Sequence, residues 1–172
     1  VFKVNGKKVF CMGSNWVPLD AFHSRDLNRL HPALDMLDDL GCNIVRCWGG
    51  NVYENDEFFD FCDEHGIMVW QDFAMGCATY PQDDWFAKKL YDEAVFVVKR
   101  LRNHASLILW AGDNEVDYAY GWNGVARDPN YNRLTRNLLA EVIREYDVVR
   151  PYLPSSPYID NEAYRTSKPT SE

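Results

Sequence analysis

What most constrains this chain is a repeating alternation of short apolar runs with helical patterns. Runs rich in β-favouring residues begin near positions 9, 43, 67, 107 and 151, and read "VFCM", "CNIVRC", "IMVW", "SLILW" and "PYLP". Between them, apolar residues recur at helical spacing. Leu27, Leu30, Leu34, Leu37 and Leu40 form the first such set; Gly41 stops it, and Pro32 predicts that the regular helix begins there after a separate turn. "DEFFDFCDEHG" reads as a short helix capped by Asn55 or Asp56 and closed by Gly66. Two further helices are predicted, from Asp92 to Arg102 with Val95, Val98 and Leu101 inward, and from about Tyr131 to Tyr146. The first strand is expected at Val9 to Met12. The fifth, in "PYLPSSP", is weakened by its three prolines.

The order is therefore β-α-β-α-β-α-β-α-β. With short connections it implies parallel strands joined by right-handed crossovers. Two architectures satisfy it, a doubly wound open sheet and part of a (β/α)8 TIM barrel. The first usually announces itself by a glycine-rich turn after the first strand; "GSNWVP" is not one, and no P-loop pattern occurs. What recurs is polar and aromatic chemistry at the end of each run: Asn15 and Trp16, Arg46 and Trp48, Gln71 and Asp72, Asn114 and Glu115. In a barrel that edge carries the active site, whereas ordinary surface loops would scatter such residues and would not favour Trp. A whole barrel takes about 250 residues, and the 172 residues here hold the first four to five βα units. The expectation is an α/β chain in which residues 1–172 form the N-terminal part of a barrel.

Charge and cysteine usage remove several function classes. With 26 acidic residues against 18 Lys and Arg, the net charge of −8 argues against a nucleic-acid backbone or an anionic membrane as partner. No run of about 18 apolar residues occurs that would span a bilayer. The five cysteines lack a CxxC pair, and the four histidines, His23, His31, His65 and His104, lack an HxxxH pair. Neither a disulfide framework nor a metal site is expected, and no cofactor motif is present. Aromatic residues at 15% suit either a core or sugar-stacking surfaces.

The segment "LILWAGDNEVD", residues 107–117, passes from an apolar strand straight into Asp113, Asn114 and Glu115. Taken alone, Glu115 reads equally well as a solvated loop residue or as a general acid. Three stretches weigh on that choice: "GSNWVPLD", "RCWGGNVYENDEFFDFCDEHGIMVWQDF" and "RLRNHASLILWAGDNE". Together they resemble the catalytic domain of β-mannosidases in glycoside hydrolase family two, collinearly from about residue 2 to 117. The resemblance implies a (β/α)8 retaining glycosidase acting on a β-mannoside without a cofactor, with the remaining domains on the same polypeptide. It implies Glu115 as acid/base, Asn114 as the neighbour that binds the sugar 2-hydroxyl, Arg46 as the arginine that orients the nucleophile, and Trp48 as a wall of the sugar subsite. The nucleophile of this clan lies on the seventh strand, outside these residues. Asp72 is a further candidate, either for a sugar hydroxyl or as the cap of the following turn.

Retention requires two carboxyl groups roughly 5–5.5 Å apart, one acid then base, the other nucleophile. Two departures from the family pattern bear on the substrate. Asn51 stands where a third glycine often follows "WGG", and Asp113 stands where Asn is frequent. An extra anion at Asp113 would suit an aminosugar, so an exo-β-glucosaminidase or an endo-acting β-mannosidase is the alternative within the fold. A carbohydrate-binding barrel without activity is the alternative outside catalysis. Asn15 and Trp16 are expected chiefly to pack around the barrel mouth, and Tyr80, Tyr118 and Trp122 to be solvent-exposed loop aromatics.

Overall fold

The computed structural model describes residues 2–122 and 127–166. A small antiparallel hairpin, β1 (Lys3–Val4) and β2 (Lys7–Lys8), precedes a five-stranded parallel sheet. Its strands are β3 (Gly13–Trp16), β4 (Ile44–Cys47), β5 (Met68–Asp72), β6 (Leu107–Ala111) and β7 (Tyr152–Leu153). The intervening helices are α1 (Leu27–Asp39), α2 (Asp56–His65), α3 (Asp84–Leu101), the one-turn α4 (Val116–Ala119) and α5 (Leu139–Tyr146), with α6 (Asn161–Thr166) at the end. Spatial strand order follows chain order throughout, β3-β4-β5-β6-β7. A doubly wound sheet must reverse its order at a switch point, and this one does not. It is an arc of a (β/α)8 barrel.

Side-chain alternation, shifted once by an irregularity in the β5–β6 register that brings Leu107 and Trp110 to the same side, gives the arc two different faces. Val45, Cys47, Val69, Leu107 and Trp110 join one buried cluster with Leu30 and Leu34 of α1, Phe58 and Phe59 of α2, Val98 and Leu101 of α3, and Leu139 and Val142 of α5. The residues between them, Ile44, Arg46 and Trp70, line a concavity of about 500 Å³ with Gly13 and Asn15. The helices therefore cover one face, and the barrel's inner face lies on the other. Among the described residues no helix is long and apolar enough to cross a membrane.

Local chemistry moved several boundaries from where the sequence pattern put them. The first strand of the sheet is Gly13–Trp16 rather than Val9–Met12, because Val9 N bonds back to the Phe2 carbonyl and closes the β1–β2 hairpin. Gly13 enters the sheet so close to β4 that an added Cβ would lie 1.8 Å from the Ile44 carbonyl oxygen. Helix α1 starts at Leu27, with Pro32 inside it. Burial of Leu30 and Leu34 outweighs the one backbone bond that Pro32 removes, on an exposed side of the helix. Helix α3 begins at Asp84, eight residues before the apolar pattern suggests, because the Asp83 carboxylate accepts the Phe86 N–H at 2.9 Å. The expected caps of α2 are present: Asn55 accepts from Phe58 N, and Gly66 takes φ +71°. The segment 131–146 is mixed, with a π-helical turn over Leu134–Leu138 leading into α5.

Candidate active site

All five strands run parallel, so their carboxyl ends share one edge. Register places Arg46 beside Trp70, and Asp72 lies two residues further along the same face of β5. Arg46 reaches Asp72 through Nη2 at 2.7 Å and Nε at 3.3 Å, and its guanidinium lies 5.2 Å from the Trp70 ring centroid. The Trp70 indole N–H donates to Asp72 Oδ1 at 2.9 Å, and the Gly49 N–H to Oδ2 at 3.0 Å. Asp72 is thus fully buried with two donors on each oxygen. Burial pushes its carboxyl up to about 6 against the opposing pull of Arg46. Since every partner is a donor, the carboxylate is the form this pocket holds at neutral pH.

The glycines after Trp48 follow from the same crowding. A Cβ on Gly49 would lie 2.3 Å from the Met75 carbonyl oxygen and 3.0 Å from Asn114 N, so this backbone must pass bare. A Cβ on Gly50 would meet the Trp48 indole at 2.1 Å. The half-buried ring of Trp48 packs against Gly50 in the turn that follows it. Asn51 is buried, accepts the Val52 N–H, and reaches the Trp16 carbonyl at 3.5 Å.

Beyond β6 the chain is pinned on both sides. Gly112 N donates to the Leu153 carbonyl, and a Cβ there would come within 2.2 Å of Pro154 O. Asp113 is completely buried; Oδ1 accepts Ser155 Oγ–H at 2.6 Å and Val116 N–H at 3.1 Å. Burial pushes its carboxyl up to about 7. Asn114 forms a parallel bridge with Gly76: its N–H reaches Met75 O, and its carbonyl accepts Cys77 N–H at 2.8 Å. Its side-chain Oδ1 accepts Arg46 Nη2–H at 3.0 Å, and its Nδ2 donates to Cys77 Sγ at 3.2 Å. Glu115 stands in the left-handed region at φ +59°, a conformation that a glutamate holds only under outside constraint. Its N–H is fixed to the Ser156 carbonyl, and its Oε2 accepts from Cys77 Sγ at 3.5 Å. Behind it, buried Asp117 takes a two-pronged bond from Arg136 at 2.8 and 2.7 Å, and Arg136 also donates to Ile159 O.

Arg46, Asp72 and Asn114 therefore form one connected network, which Glu115 joins through Cys77 and Trp48 through the Gly49 backbone. Trp16 lies outside it, buried against Phe58 with its indole N–H on Glu54. Asn15 lines the concavity at its edge. Tyr80 is tied to both backbone groups of Gly76 and rests on Phe86, while Tyr118 and Trp122 are exposed. In "RNHAS", His104 bonds Asp63 Oδ2 at 2.8 Å and Ser106 N–H bonds Asp63 Oδ1 at 2.6 Å, so this stretch latches β6 to α2. Asp60, Asp63 and His104 lie close enough to share a cation, but both Asp63 oxygens are already engaged. Trp70 and Cys77 are the contributors that motif reading missed. Strand alternation from Asp72 would have placed Trp70 on the site face; nothing in the sequence marks Cys77.

Comparison with known proteins agrees with this geometry. The family model described as "Glycosyl hydrolases family 2, TIM barrel domain" matches residues 1–163. A β-mannosidase of Capra hircus is 40% identical over 167 residues, covering 91% of this chain and 19% of that protein. β-Mannosidase B of Aspergillus fumigatus is 36% identical over 184 residues, covering 98% of this chain and 21% of its own length. The crystal structure of a β-D-mannosidase from Dictyoglomus thermophilum superposes with a TM-score of 0.85 at 41% identity, over 99% of this chain and 21% of that one. The chain thus spans about a fifth of the length of these relatives. With its sequential parallel sheet and its strand-end network, the chain belongs to the TIM-barrel domain family of the family 2 glycosyl hydrolases.

Proposed function

We propose that the polypeptide carrying this chain is a retaining glycoside hydrolase that releases β-linked mannose from non-reducing ends. On this reading residues 1–172 form the N-terminal part of its barrel, and Glu115 is the acid/base. The observation that carries the proposal is the network itself. Asn114 and Glu115 are fixed at the strand-end edge by Arg46, Gly76, Cys77 and Ser156, so that one carboxyl group and one amide are held side by side and joined through Cys77. The β-mannosidases among the similar proteins support the sugar.

The chemistry then divides among named groups. Glu115 protonates the glycosidic oxygen as the leaving group departs, and in the second step removes a proton from the attacking water. The nucleophile comes from outside this chain. An arginine has no acceptor, so the bond from Arg46 forces the Asn114 amide to turn its oxygen toward Arg46. One N–H of the Asn114 NH₂ goes to Cys77 Sγ, and the other is left to donate to the sugar 2-hydroxyl. Among the described residues Arg46 Nη1 makes no hydrogen bond, and it is the donor available to orient the nucleophile. Asp72, with both oxygens filled, acts through Arg46 rather than on the sugar. Trp48 offers the face on which the sugar rests. No cofactor enters these steps.

Asp113 does not favour an aminosugar. It is fully buried and held by Ser155 and Val116, so its charge is not offered to a substrate amine. The test is a panel of nitrophenyl β-glycosides, including mannoside and glucosaminide, run on the parent polypeptide. Preferential hydrolysis of the mannoside is expected. Preference for the glucosaminide would overturn the sugar assignment, and binding without hydrolysis would overturn the enzymatic one.

A further inference from the structure

The short loop after β5 carries the one exposed cysteine among the five, Cys77, and its geometry is unusual. Its backbone takes φ +51° and Glu115 takes φ +59°, so two side chains in the left-handed region face each other across the site. Neither residue is one that adopts this conformation cheaply. Both are held there by backbone pairing: Cys77 N–H donates to Asn114 O, and Asn114 N–H to Met75 O. The outcome is a thiol that touches two of the three side chains of the "DNE" motif, Asn114 and Glu115. Sγ accepts from Asn114 Nδ2 at 3.2 Å and donates to Glu115 Oε2 at 3.5 Å.

We propose that Cys77 is a positioning residue that sets the orientation of the Glu115 carboxyl and of the Asn114 amide together. The inference rests on the reading of Glu115 as acid/base. A sulfur suits this place because, as a weak donor, it does not hold the carboxylate so tightly that proton transfer is impeded. A carboxylate that must first give up a proton and then take one gains from a partner that fixes its direction without competing for its charge. The thiol is the form present, because desolvation and the neighbouring Glu115 carboxyl raise its ionisation range, against the opposing Asn114 amide. Asn114 is meanwhile clamped from both ends, by Arg46 on Oδ1 and by Cys77 on Nδ2.

The role predicts a loss that depends on the leaving group, which a merely structural cysteine would not produce. In the parent polypeptide, Cys77→Ala and Cys77→Ser are compared with wild type on a 2,4-dinitrophenyl β-mannoside and on a phenyl β-mannoside. The first leaves without protonation; the second requires Glu115. For Cys77→Ala the expected loss in kcat/KM is roughly 5–10-fold on the phenyl substrate and less than about 2-fold on the dinitrophenyl one, the size of one modest hydrogen bond. Cys77→Ser, which restores a donor, recovers most of that loss. Equal losses on both substrates, or no loss on either, would overturn the proposal.

If Cys77→Ala does not fold, the same comparison is made on wild-type protein treated with methyl methanethiosulfonate. The thiol becomes a methyl disulfide with release of methanesulfinate. Expected is a leaving-group-dependent loss that dithiothreitol reverses and that Cys77→Ser does not show. Unchanged rates after full modification of Cys77, checked by mass spectrometry, would overturn it. Glu115→Gln run alongside separates the two readings: if that variant shows no leaving-group dependence, it is the assignment of Glu115 that fails.

Discussion

Replacing Arg46 by lysine keeps the positive charge and removes the planar fork, and the structure sets the size of the effect. Arg46 makes three hydrogen bonds, two to Asp72 and one to Asn114 Oδ1. A lysine on the same strand position ends in a compact ammonium that pairs with Asp72 but cannot span to Asn114 as well. Asp72 keeps a counter-charge together with its bonds from Gly49 and Trp70, so the fold should lose only about 1 kcal/mol. The functional loss is larger, because Asn114 Oδ1 no longer has the donor that fixes the amide's orientation. A hydrogen bond involving a charged group contributes about 1.5–3 kcal/mol. At 1.4 kcal/mol per tenfold, that is roughly 10–150-fold in kcat/KM. The assay is kcat/KM on 4-nitrophenyl β-mannoside in the parent polypeptide, with thermal unfolding to confirm that the barrel is intact. Arg46→Met makes the contrast, since it leaves the fully buried Asp72 without its counter-charge and should cost about 3–5 kcal/mol of stability. Arg46→Lys kinetics within twofold of wild type, with an unchanged unfolding temperature, would refute the link from Arg46 through Asn114 to the substrate.

Trp48→Ala removes the ring that lies on Gly50 and should lower kcat/KM by misplacing the sugar while leaving the unfolding temperature within a few degrees; unchanged kinetics would reduce Trp48 to packing. Asp113→Asn tests burial. The folded-state value of Asp113, about 7, lies above its ordinary 3.8, so its contribution to stability is complete below the unfolded value and is lost as pH rises through about 7. At 1.36 kcal/mol per unit, the stability lost between acid and alkaline pH is on the order of 4 kcal/mol. Unfolding temperatures of wild type and variant at pH 5 and pH 8 should therefore diverge at the higher pH in favour of the variant; parallel behaviour would contradict the buried-anion account. Residues 1–172 alone carry one of the two carboxyls and an open inner sheet face, so the isolated chain is expected to self-associate in light scattering and to leave a β-mannoside intact. A soluble monomer turning over at ordinary enzyme rates would sink both arguments.

The barrel arc was legible because its signals are periodic and chemical at once. Each apolar run ended in residues that a buried strand does not carry, and parallel strands gather such ends on one edge. What misled was local. At the first strand the apolar letters Val9 to Met12 belong mostly to the exit from a hairpin, and the strand itself is the unremarkable "GSNW", which enters the sheet because Gly13 lets it approach Ile44. The start of α3 was hidden by reading apolar spacing in place of the Asp83 cap. In the site, Arg46, Asp72 and Asn114 were named from motif and strand-end position, but their connection depends on register, which a sequence does not print. Asp72 shows the difference: an acid at a strand end suggests a ligand contact, whereas four donors from three residues fill it. Cys77 was invisible because its contact with Glu115 arises from a left-handed loop residue meeting another one 38 positions away.

The central claim is that Glu115 is the acid/base of a retaining reaction, and the most direct measurement is azide rescue of Glu115→Ala in the parent polypeptide. With the carboxyl removed, water attacks the glycosyl-enzyme slowly, while azide needs no general base. On a 2,4-dinitrophenyl β-mannoside the account predicts a rate that rises with azide concentration and a mannosyl azide of β configuration as the product. No acceleration, or an azide of α configuration, would contradict it.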